Sequence, residues 1–106
     1  MKRGDNNKII YELEERRMEN LEGAMESIKV LECPTGDIKN RIRDILKEFE
    51  IANRSEIIVS RYHPLDKNGA RGYSAKITRD KGLDIAILAV SGMDDYVVKV
   101  MDAYIC

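Results

Sequence analysis

The chain is expected to fold as an α+β domain with two N-terminal helices, a three-stranded antiparallel meander and a C-terminal helix. Three features of its 106 residues carry that expectation. Apolar side chains recur at helical spacing as far as Phe49. Two β-branched runs then flank the turn dipeptide Asn68-Gly69. Finally Val97, Met101 and Tyr104 return to steps of four and three.

The first helix spans residues 8–32, behind a frayed stretch at 1–5 and a cap at Asp5 or Asn6. Met18, Leu21, Met25 and Ile28 share one face, widened by Ile10, Leu13, Ala24 and Leu31. Glutamates crowd the opposite side, from Glu12 to Glu26. At 1.5 Å per residue such a rod is roughly 37 Å long, more than the width of a domain this size. Its apolar stripe should therefore overhang, and a homodimer contact through Met18, Leu21 and Met25 is expected. Pro34 ends the helix, because the residue before a proline avoids helical geometry. Thr35 caps a second helix over residues 36–50, with Ile38, Ile42, Ile45 and Phe49 on one face.

Residues 56–62 (EIIVSRY) make a strand, 66–72 a loop and 72–79 the return strand. After the tight turn at 80–82, residues 83–90 (LDIAILAV) are nearly all apolar and suit the central strand. Ser91-Gly92-Met93-Asp94 fits a capping box, which starts a helix over 93–105, although Val97, Val98 and Val100 favour a strand. A winged-helix variant is the alternative architecture, with only two helices before the wing.

Length implies a single domain over residues 1–106, and an apolar share of 43% is enough for a core. The net charge of −1 conceals an asymmetry. Residues 1–53 carry 10 Lys/Arg against 12 Asp/Glu, residues 54–81 carry 7 against 3, and residues 82–106 carry 1 against 4. The basic middle holds Arg54, Arg61, Lys67, Arg71, Lys76, Arg79 and Lys81, interleaved with Tyr62 and Tyr73. Cations bind phosphates and tyrosine stacks on unpaired bases. The leading expectation is thus a small regulatory or accessory protein that binds nucleic acid, DNA first, through this hairpin loop. Strand alternation sends these cations to both faces, which shifts weight to the loop tip. A solvated hairpin with charged edges is the plainer explanation of the same residues. The alternative function is a protein-binding adaptor or inhibitor that uses the acidic long helix or an exposed sheet edge.

Enzymatic chemistry finds little support. His63 is the single histidine, and no serine lies in a GxSxG elbow. Asp94-Asp95 suits a helix N-terminus. GARG at 69–72 is neither a P-loop nor a dinucleotide fingerprint. No metal or cofactor is expected. Cys33 and Cys106 form no CxxC pair and are expected to be reduced thiols in a cytoplasmic protein. The longest apolar run, Ile85 to Val90, is too short to span a membrane, and no signal peptide is visible.

Overall fold

A computed structural model describes the backbone of residues 2–78, 83–92 and 94–106, and the side chains of these from residue 15 onward. Helix α1 is Lys2–Lys29 and helix α2 is Ile38–Glu48. The strands are β1 Glu32–Pro34, β2 Ile57–Arg61, β3 Ala70–Ile77, β4 Asp84–Ser91 and β5 Val97–Ile105. Short 3-10 turns cover Thr35–Asp37, Arg54–Glu56 and His63–Leu65. No helix among the described residues is long and apolar enough to cross a membrane.

All five strands form one antiparallel curled sheet in the order β1-β5-β4-β3-β2. β2 to β5 follow one another as hairpins, and β1 returns to the outer side of β5. β4 therefore lies in the middle, which accounts for its apolar run: Ile85, Ala86, Ile87 and Ala89 are all buried. The two helices cover one face. Ala24, Met25 and Ile28 of α1, and Ile38, Ile42 and Leu46 of α2, join Ile57, Val59, Tyr73, Ala75, Val98 and Val100 in a single core. The helices approach closely at Gly23, where an added Cβ would lie 2.6 Å from the Phe49 ring.

α1 stops three residues short of its expected end. Pro34 is extended, with φ −54° and ψ 139°, and Cys33 before it is drawn into the same conformation. Residues 32–34 then pair with Val97 to Lys99 instead of extending the helix. Leu31, which continues the apolar stripe of α1, is buried just beyond the helix end.

The expected three-stranded meander with a C-terminal helix is overturned. The sheet has five strands, and residues 97–105 form β5 along the whole of β4. The winged-helix variant is overturned too, because the β2–β3 hairpin is no separate wing: β3 pairs along β4 within the five-stranded sheet. Two physical reasons account for the difference. Val97, Val98 and Val100 are β-branched and stiff, and β4 offers them a ladder. The strand also contains a β-bulge. Pairing passes from Ala89↔Val100 to Leu88↔Asp102, so Met101 has no partner of its own. The buried positions are Val98, Val100 and Ala103, and this broken alternation hides the two-residue period. The side chains that mimic a helical stripe are the outward ones: Val97 is 40%, Met101 65% and Tyr104 41% exposed. The proposed capping box is a hairpin loop. Gly92 N–H donates to the Val97 carbonyl and Asp95 N–H to the Gly92 carbonyl, while Asp95 takes a left-handed φ of 60°. Met93 lies outside the described residues.

The packing predicts two contrasting substitutions. Ile87 is 0% exposed at the centre of β4, so Ile87→Ala should lower unfolding free energy by about 2–5 kcal/mol in urea titrations. Met101→Ala, on the outward side of the bulge, should stay within about 0.5 kcal/mol of wild type. Equal effects at the two positions would contradict the placement of β5.

Candidate functional site

The basic hairpin is built around a bracket between Arg61 and Asp66. The guanidinium grips the carboxylate through two bonds, Nη1 to Oδ1 at 2.7 Å and Nη2 to Oδ2 at 3.1 Å. Arg61 Nη1 also donates to the Gly72 carbonyl at 3.0 Å, and Gly72 N–H donates to Asp66 Oδ1 at 2.7 Å. The Arg61 guanidinium carbon stands 5.5 Å from the centre of the Tyr73 ring. The residue at 72 must be glycine for space: a Cβ would sit 2.3 Å from Leu65 Cβ and 2.5 Å from the Tyr62 carbonyl oxygen. The bond from Arg61, followed by that from Gly72 N–H, holds the Asp66 carboxyl well below its ordinary value of 3.8. His63 Nδ1 lies 3.5 Å from the other carboxylate oxygen.

The structure spreads the sequence-predicted cations over several places. Arg61 and Tyr73 meet in the bracket, and Tyr73 is buried. Arg54 faces Asp44 of α2 at 3.4 Å. Arg71 reaches across to Asp95 in the β4–β5 loop at 3.0 Å. Lys67 and Lys76 are exposed, Lys67 at the turn and Lys76 on the sheet face opposite the helices. Beside Lys76 a hollow of about 310 Å³ is lined by Tyr62, Leu65, Ser74 and Asp84, with the Ser74 hydroxyl donating to Asp84 at 2.7 Å. Arg79 and Lys81 lie outside the described residues. Of the two cysteines, both free, Cys33 is buried, which pushes its thiol pKa up, and Cys106 is exposed.

A second place has a different character. β1 covers the outer edge of β5 only from Val97 to Lys99, and Leu31 adds one bond by accepting Val100 N–H at 2.9 Å. Past the bulge, no strand among the described residues pairs with that edge. Cys106 N–H donates to the Asp84 carbonyl on the β4 side. Backbone polarity alternates along a strand, so Ala103 and Ile105 turn their N–H and C=O groups outward. The Asp102 carboxylate accepts Ala103 N–H at 2.9 Å, occupying a donor that a neighbouring strand would otherwise take.

Alongside this edge runs an apolar groove of about 440 Å³. Its walls are Met18, Leu21 and Met25 of α1 and Ala103, Tyr104 and Ile105 of β5, with Glu22, Glu26 and Lys29 around them. Of the three stripe residues expected at a dimer contact, Met25 is buried in the chain's own core, Leu21 is half-buried, and Met18 is 64% exposed. Sequence reasoning named the α1 wall and missed the β5 wall. The signal for that wall was the run Val97-Val98-Lys99-Val100. The chain matches no family model, and neither the curated proteins nor the solved structures contain a significant match.

The Arg61–Asp66 bracket gives a pH prediction. The folded Asp66 carboxyl is depressed, so its stabilisation is complete above the ordinary value and is lost as pH falls through the lower folded value. Asp66→Asn should therefore lower the urea midpoint at neutral pH and flatten its decline below about pH 4. Parallel wild-type and variant curves across that acid range would show that the bracket contributes nothing.

Proposed function

We propose that this chain is a non-enzymatic protein-binding domain, an adaptor or inhibitor, that accepts an extended segment of its partner as an added strand on β5. One observation carries the reading: the outward backbone groups of Ala103 and Ile105 lie beside an apolar groove. Strand addition needs both parts. Main-chain hydrogen bonds supply affinity, and pockets for alternate side chains supply selectivity. Met18 and Leu21 provide an apolar surface for the side chains that turn toward α1.

Nucleic-acid binding by the hairpin is the second reading, supported by the exposed Lys67 and Lys76. Against it, Arg54, Arg61 and Arg71 each face a carboxylate within the chain, which lowers the charge available for phosphate. A homodimer through Met18 and Leu21 would fill the same groove as a partner strand, and sedimentation separates the two cases.

Selection of random displayed peptides on the immobilised protein tests the proposal. Ala103→Pro removes an outward N–H, a position where an edge strand tolerates proline. Selected peptides should bind this variant about tenfold more weakly, the upper range for one main-chain hydrogen bond. They should also lose binding to Leu21→Glu and retain it on Lys67→Ala. Peptides indifferent to Ala103→Pro contradict strand addition. Salt-sensitive binding of DNA or RNA that Lys67→Ala weakens would move the function to the hairpin.

A further inference from the structure

We infer that the segment received by the β5 edge is basic and amphipathic, with lysine or arginine alternating with aliphatic residues. The inference rests on the strand-addition reading of this site and adds the chemistry of its occupant. The groove floor, from Met18 and Leu21 to Ala103 and Ile105, selects apolar side chains on the strand face turned toward α1. Two carboxylates line the groove, Glu22 and Glu26 on α1, against one cation, Lys29, and a third, Asp102, stands at the adjoining β5 edge. All four charged side chains are exposed.

Asp102 is the decisive group. Its carboxylate lies 2.9 Å from the Ala103 nitrogen, where the carbonyl of an added strand has to arrive. Two oxygens then compete for one N–H. A cationic side chain on the incoming strand draws the carboxylate aside and pairs with it, whereas an acidic side chain directly opposite adds like-charge repulsion. Asp102 thus keeps the free edge closed to neutral and acidic strands and admits basic ones. A second copy of the chain fits this less well. A twofold contact places the same patch against itself, so each set of three carboxylates would face another with only Lys29 in return.

Two short synthetic peptides test this, one alternating valine with lysine and the other valine with glutamate, each labelled for fluorescence anisotropy. The lysine peptide should bind wild type, and the glutamate peptide more weakly. Asp102→Asn preserves an acceptor for Ala103 N–H and removes the charge, so it should cut the preference for lysine by about two- to fivefold, the range of an exposed ion pair. Ala103→Pro should weaken binding of the lysine peptide about tenfold, the loss of one main-chain hydrogen bond. Equal binding of both peptides, weakened in Ala103→Pro, overturns the charge inference and leaves strand addition standing. A lysine peptide that binds Ala103→Pro as well as wild type is held by diffuse acidity and overturns the inference. If neither peptide binds while displayed peptides still depend on Ala103, the occupant is of another chemistry. A dimer in sedimentation that Ala103→Pro dissociates makes a second copy the occupant, which also overturns it.

Discussion

β5 has to present an apolar face to α1 along its whole length, and the bulge at Met101 is what allows this. Val98 and Val100 face the helices in regular alternation. Without an extra residue, Asp102 and Tyr104 would turn inward and Ala103 outward. The unpaired Met101 reverses the alternation, so Ala103 is buried while Asp102 reaches solvent. The same stretch is where β1 ends its cover of β5. One local irregularity thus preserves the core beneath α1 and opens the adjoining edge.

The rest of the architecture supports that edge from behind. α1 packs on β5 and on α2, with Ala24 and Ile28 fully buried and Gly23 allowing the Phe49 ring close to the helix backbone. Farther along the sheet, the Arg61–Asp66 bracket and the close contact over Gly72 bind the β2–β3 connection to the sheet. Three cations of the stretch that looks basic in sequence, Arg54, Arg61 and Arg71, thus each face a carboxylate in space. The free β5 edge, by contrast, has an apolar wall on one side and a carboxylate lying across one of its donors.

Much of the fold was legible where one physical signal dominated. The helical stripe from Met18 to Ile28, the second stripe from Ile38 to Leu46, and the two strands around Asn68-Gly69 depend on period and turn chemistry alone. The α+β class followed from them. β1 was not legible, because three residues carry no periodicity and their strand depends on a partner more than sixty residues away. β5 was misread because a bulge destroys period two and left Val97, Met101 and Tyr104 spaced like a helix. The α1 wall of the groove could be named from sequence, but not the β5 wall, since an uncovered edge is a property of pairing. Salt bridges such as Arg71 to Asp95 were hidden for the same reason: they join residues that the sheet brings together.

Amide hydrogen exchange of the protein alone, followed residue by residue by NMR, tests the central claim most directly. Alternation in β5 requires slow exchange at Tyr104 and Cys106, whose N–H groups face β4, and fast exchange at Ile105, whose N–H faces outward, with Ala103 between them because only the Asp102 carboxylate holds its outward N–H. Uniform protection from residue 101 to 106 would mean that the edge is already paired or that the segment is helical. Either result would contradict a free strand edge beside α1.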